Sequence, residues 1–203
     1  DVDPSAPHAE DIWWLAAMGI STGYEDGTYR GSEPVARQDL AAFLNRLNIR
    51  VNRAGSASDY SIMGATRARL EQFVKYYQSS GATYPVSVYS GKGAATIEDF
   101  GRIVMEESAA EGVKAEVVFC QAMKETGWLR FGGSVKPDQC NFAGLGAVSS
   151  SAAGAVFPDV RTGIRAQVQH LKAYASTDVL VNPLVDGRFN LVPRGCAPTL
   201  AAL

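Results

Sequence analysis

Between Asn48 and Ser61 the chain runs through small and polar residues, Gly55, Ser56, Ala57 and Ser58 among them, without any apolar period. A stretch of that kind has no face to bury, so residues 48–60 read as a linker between two separately folding parts. The two sides differ in charge as well. Residues 1–47 carry three arginines against eight carboxylates, a net of −5, whereas residues 61–203 carry 14 basic and 12 acidic side chains. The larger part is long enough to bury a core of its own, and the smaller one is near the lower limit for a stable unit. The overall formal charge of −2 gives no electrostatic basis for a nucleic-acid partner. No run of roughly eighteen apolar residues is available to span a membrane. The chain opens at Asp1 without a charged-then-apolar leader, so any export signal is expected to have been removed or to lie outside it.

Cysteine and histidine usage limits the chemistry further. Cys120, Cys140 and Cys196 form no C-x-x-C pair, and His8 and His170 are the only histidines, so no zinc spacing exists and neither metal nor organic cofactor is expected. A Cys140–Cys196 disulfide and two free thiols stand as equal alternatives. Cys120 with His170 could suggest a cysteine peptidase, but Cys120 lies mid-helix between Val117, Phe119 and Met123, where a buried inert thiol is the better reading.

In the N-terminal part, Ala9–Met18 reads as an amphipathic helix ended by Gly19, followed by a Gly-rich loop and a second helix from Pro34 through Leu47. Of the adjacent Trp13 and Trp14, at least one is expected in the core, because neighbouring helical residues face different ways. Beyond the linker, Leu70, Phe73, Val74 and Tyr77 predict a helix over Met63–Ser79, stopped by Gly81. Thr96-x-x-Asp99 caps a next helix that ends at Gly112. Lys114–Thr126 is a third, ended by Gly127, whose access to positive φ suits a C-terminal cap.

On that third helix Val118, Ala122 and Glu125 lie at i, i+4 and i+7, which predicts a carboxylate at the end of the apolar stripe. Partial burial and the negative end of the helix dipole would both favour the protonated carboxyl. A carboxyl kept protonated can donate to a glycosidic oxygen as the bond breaks. Trp128 follows directly and offers a ring on which a sugar could stack. Pattern alone favours the plainer reading, in which Glu125 merely ends its helix and points to water.

Two resemblances bear on function. Residues 1–47 resemble an S-layer homology repeat, matching its Asp-Val start, its Gly-x-x-Asp-Gly loop at Gly23 to Gly27 and its pre-helical Arg37. The segment AEGVKAEVVFCQAMKETGW resembles the Gln-x-x-x-Glu-x-Gly-Trp region of the glucosaminidase family of wall hydrolases through Gln121, Glu125, Gly127 and Trp128. Asn141-Phe142-Ala143-Gly144-Leu145 is similar to the segment lining the cleft in that family, and Phe157 to Ala175 to the helix behind the site. The resemblance implies a mainly α, lysozyme-like (α+β) catalytic domain at 61–203, incomplete at its C-terminus, with a small β-hairpin flap that Gly144–Phe157 would supply. It implies a secreted protein of the cell wall or surface whose partners are peptidoglycan glycan strands and, through the N-terminal helix–loop–helix, a secondary wall polymer. Glu125 would be the general acid cutting the β-1,4 bond between N-acetylglucosamine and N-acetylmuramic acid. Gln121, Trp128, Asn141, Phe142 and Gly144 would line the substrate site, although Asn141 equally reads as the cap of a loop and Phe142 suits a core.

A second carboxylate is the missing part. Glycosidases commonly use two, yet Gly144 to Pro158 contains no Asp or Glu, and Glu106 and Glu107 read as structural or solvated. Assistance by the sugar's own N-acetyl group is one way around this. A muramidase, a lytic transglycosylase and a non-catalytic wall-binding protein are the rival readings.

Overall fold

A computed structural model describes residues 2–21, 23–53, 60–147 and 154–203 of the chain. Two compact units emerge, Asp1–Ala57 and Ser58–Leu203.

The first unit holds helices α1 (Ala9–Ala17) and α2 (Arg37–Arg53). Helix α2 starts three residues after Pro34 and runs six residues past the predicted end at Leu47, because nothing in Asn48–Arg53 breaks a helix before Gly55. Residues 54–59, the remainder of the expected linker apart from Tyr60, lie outside the described residues. Arg46 donates from Nη1 to the Ile20 carbonyl at 2.9 Å, tying α2 to the turn after α1. Trp13 and Trp14 both stand exposed, contrary to the expectation that one would be core.

In the second unit, α3 spans Leu70–Ser79, a short α4 Val86–Tyr89, α5 Ile97–Glu111, α6 Ala115–Glu125 and α7 Val160–Ala175. The mainly helical expectation therefore holds. Helix α3 begins seven residues later than predicted. Met63 is taken up in a β-bridge to Val113, and a reciprocal pairing of Arg69 with Gln72 fixes the start at Leu70. The predicted cap of α5 is present, with Asp99 N–H donating to Thr96 Oγ1 and Thr96 N–H to Asp99 Oδ2, both at 3.1 Å. The β-hairpin flap is not found where the chain is described. Residues 144–147 and 154–157 form no strand, and 148–153 lie outside the described residues.

The core is aromatic at its centre. Phe73 of α3 stacks on Phe119 of α6 at 4.5 Å between ring centroids, and Phe100 of α5 meets Phe142 edge-on at 5.0 Å. Each fully buried ring contributes about 1.5–3 kcal/mol. Helices α5 and α7 are joined by ion pairs to two buried carboxylates of α5. Glu107 receives Arg165 at 2.8 Å and Arg161 at 2.9 Å. Burial pushes its carboxyl up, but the two guanidiniums more than offset this and hold it below the usual carboxylate range. Glu111 accepts from Lys172 Nζ at 2.8 Å and from the backbone N–H groups of Val181 and Asn182. Its carboxyl is held low in the same way, with burial again opposing.

Candidate active site

Helix α6 carries the predicted acid at its last residue. Val118 and Ala122 are fully buried, as the apolar stripe requires, but Glu125 is exposed. The burial expected of it is absent for a backbone reason. After Thr126 the chain enters a left-handed turn, with φ of 57° at Gly127, 64° at Trp128 and 59° at Leu129. The backbone departs at once and leaves nothing over the carboxylate. Thr126 holds this turn by donating from Oγ1 to the Ala122 carbonyl at 2.7 Å and accepting from Leu129 N–H at 2.9 Å.

The same turn redirects Trp128. Its ring packs on Tyr76 of α3 at 4.7 Å and lies 6.5 Å from Tyr77, away from the space in front of Glu125. That space is a cavity of about 310 Å³ between α6, α7 and the 143–147 segment. Gln121 and Glu125, one helical turn apart, form one wall. Gln167, His170, Leu171 and Tyr174, at i, i+3, i+4 and i+7 of α7, form another. Arg188 and Gly144 contribute further lining.

Three of the six predicted site residues, Glu125, Gln121 and Gly144, are thus brought together on the cavity, and Trp128, Asn141 and Phe142 are not among the residues lining it. Phe142 is fully buried among Tyr89, Phe100 and Phe131. Asn141 is 1% exposed and holds the loop, as the alternative reading had it. Its amide donates to the carbonyls of Leu145 at 2.9 Å and Ala155 at 3.1 Å, and its Oδ1 accepts from Leu145 N–H at 2.8 Å. It ties Leu145, which lines the cavity, to Ala155.

Gln121 is oriented by a residue the sequence reading passed over. Buried Gln167 donates from Nε2 to the Val118 carbonyl at 3.0 Å and to Gln121 Oε1 at 2.8 Å. With its oxygen so engaged, Gln121 has its NH₂ group left to donate, one helical turn from Glu125, and no acceptor for it is found among the described residues.

The expected second carboxylate is absent from the cavity wall: among the described lining residues Glu125 is the only Asp or Glu. Asp186 lies behind the wall, 1% exposed, bonded through Oδ2 to His170 Nδ1 at 2.7 Å and through Oδ1 to Arg188 N–H at 2.9 Å. The sequence signal for His170 was its place on the Gln167–Tyr174 stripe, which periodicity marks as inward. Asp186 had no such signal, because it lies in a loop. Glu106 and Glu107 are engaged with Arg161 and Arg165, as the structural reading required. Cys120 is exposed rather than buried, and all three cysteines are unpaired. Burial pushes the Cys140 thiol up to about 11. Among the described residues no group of three or more His, Cys, Asp or Glu is placed to hold a metal ion.

In the first unit, the Gly23–Gly27 loop is closed by Asp26, which accepts from Thr28 N–H at 3.0 Å and Thr28 Oγ1 at 2.7 Å and pairs with Arg30. A Cβ on Gly23 would meet the Thr28 carbonyl oxygen at 2.6 Å, so this turn requires glycine. The loop borders a cavity of about 390 Å³ carrying both charge signs, with Arg30, Arg46, Glu33 and Asp39 in its lining.

Comparison with known proteins agrees with both parts. Residues 101–189 match the glucosaminidase family model, described as mannosyl-glycoprotein endo-beta-N-acetylglucosaminidase, and residues 1–41 match the S-layer homology domain. An uncharacterized protein of Borreliella burgdorferi is 32% identical over 161 residues, spanning 76% of this chain and 79% of its own length. No solved structure matches. The chain belongs to the glucosaminidase family and carries an S-layer homology domain ahead of its glucosaminidase domain.

Proposed function

We propose that the second unit hydrolyses the β-1,4 glycosidic bond between N-acetylglucosamine and N-acetylmuramic acid in bacterial peptidoglycan, with Glu125 as the general acid. Membership in the glucosaminidase family supports a glycoside hydrolase acting on wall glycan. The observation that carries the finer reading is the position of Glu125: it ends α6 on the wall of a cavity in which no other Asp or Glu side chain stands among the described lining residues. Gln121, whose NH₂ group has no acceptor among the described residues, is suited to hold a sugar acceptor group next to the bond being cut. The N-terminal unit docks on a secondary wall polymer, which accords with the cell-surface or cell-wall association of S-layer homology domains.

Digestion of purified peptidoglycan tests this reading. Mass spectrometry of the new ends should find reducing N-acetylglucosamine, and Glu125→Gln should lower the rate by roughly 10²–10⁴-fold, the usual range for a general acid. Reducing or anhydro muramic acid at the new ends would assign the other linkage or transglycosylation. Equal glycan release by wild type and Glu125→Gln would remove Glu125 from the chemistry.

A further inference from the structure

A cavity with one carboxyl group lacks a partner for it, and the structure offers one that is not a lining carboxylate. His170 stands on α7, in the wall of the cavity that also holds Glu125. Its Nδ1 lies 2.7 Å from Oδ2 of Asp186, whose side chain is 1% exposed. A carboxylate only accepts hydrogen bonds, so Nδ1 carries a hydrogen, and in the neutral ring, the form that can act as a base, Nε2 is the nitrogen with the lone pair. No partner for Nε2 is found among the described residues. The ring is fixed from a second side by Tyr174, edge-on at 5.2 Å. Asp186 is itself immobilised, since Arg188 N–H donates to its other oxygen at 2.9 Å and its own N–H donates to Gln169 Oε1 at 3.1 Å. The carboxylate thus sets the tautomer and orientation of an imidazole whose remaining exposure, 19% of the side chain, belongs to a residue of the cavity wall.

We propose that His170, held by Asp186, is the second catalytic group of this cavity, the base that activates the attacking water. The proposal rests on the hydrolase reading of the same site. In the step, the water oxygen forms a bond to the anomeric carbon while one water proton passes to His170 Nε2. The bond from that carbon to the glycosidic oxygen breaks with its electron pair on the departing oxygen, which takes the proton of Glu125. Solvent then carries the proton from His170 back to Glu125. A single displacement inverts the anomeric centre, so the β-linked sugar is released first as the α-anomer. Asp186 acts through His170 as a positioning residue.

The experiment combines three readouts on the full chain with peptidoglycan as substrate. His170→Asn keeps an amide donor near the Nδ1 position for Asp186 but has nothing at Nε2. Its rate should fall by roughly 10²–10⁴-fold, with its melting temperature close to that of the wild type. His170→Ala should regain turnover on addition of free imidazole. Proton NMR of early wild-type digests should find the α-anomer first. A His170→Asn variant within about threefold of wild type would reduce the pair to a loop fastening and overturn the proposal, as would a β-anomer formed first. Should both variants unfold, a β-anomer formed first by the wild type still overturns the proposal, and His170→Gln, which puts a non-basic amide in the ring's place, takes over the rate test. Failure of the hydrolase reading looks different: wild type releases no new ends, or Glu125→Gln matches it whatever His170 does.

Discussion

Asn141 gives the sharpest test of whether the cavity border is held as described. Replacing it by alanine removes three hydrogen bonds, two donated to the Leu145 and Ala155 carbonyls and one accepted from Leu145 N–H. Both carbonyls keep another partner, since Ala155 N–H donates to Leu145 O at 2.7 Å and Gln139 Nε2 reaches Ala155 O at 3.4 Å. Only the Leu145 N–H is stranded. At about 1 kcal/mol net for each bond, the loss is about 3 kcal/mol. For a unit of this size that corresponds to a fall of roughly 6–12 °C in melting temperature. Asn141→Asp should be worse than alanine, because a carboxylate keeps the bond from Leu145 N–H but is forced against two carbonyl oxygens with no hydrogen to offer them. Calorimetry of the three proteins checks the order, and hydrogen exchange at the Leu145 amide checks the location. An alanine variant within 1 kcal/mol of wild type, or one that melts normally while its KM rises, would refute the reasoning and return Asn141 to the substrate.

Two further perturbations probe the frame around the site. Lys172→Met leaves Glu111, 2% exposed, without its ammonium partner and should cost about 3–5 kcal/mol at neutral pH. Because the folded Glu111 carboxyl is held below its unfolded value, its contribution is fully present above that unfolded value, about pH 4.3, and is lost as pH falls through the folded value. The gap between wild type and variant in urea denaturation should therefore narrow as pH falls below about 4.3 and through the folded value, and a gap that stays constant there would contradict the assignment. Gly163→Ala places a Cβ 1.8 Å from the Cys140 carbonyl oxygen, a backbone atom with no rotamer to yield. A loss of about 1–3 kcal/mol or more is expected, and a thermal melt unchanged from wild type would show that α7 does not sit this close.

The parts of this fold that were legible in the sequence are those specified by neighbours in the chain. The Thr96–Asp99 cap, the stop at Gly112 and the apolar stripe of α6 depend on residues within a turn or two of each other, and periodicity and capping chemistry read such features directly. The errors arose where a distant segment decided. Met63 looks helical until Val113 claims it as a bridge partner. Asn141 and Phe142 match a cleft-lining motif, yet one faces two carbonyls brought together by the loop and the other three aromatic rings from separate elements. Glu125 was expected to be half-buried because its stripe is apolar. Gly127 announced the end of that helix but not that Trp128 and Leu129 would share its left-handed backbone. The pairing of His170 with Asp186 joins residues sixteen apart across a loop, a separation at which no pattern in the sequence operates.

That left-handed turn decides which side of α6 its last carboxylate serves. One more right-handed turn would advance the helix about 5.4 Å and lay its own residues over Glu125. By reversing hand at residue 127, the main chain leaves toward α3, and Trp128 settles on Tyr76 there. Access to the acid is therefore written in the three residues around Gly127, in a backbone conformation that most L residues resist by about 1–2 kcal/mol. Two of the three are not glycine, so the Thr126 hydrogen bonds, the burial of Leu129 and the Trp128–Tyr76 contact together offset that resistance. A loss of activity arising at Trp128 or Leu129 would then be a change in how the helix stops, felt at a carboxylate that neither residue covers.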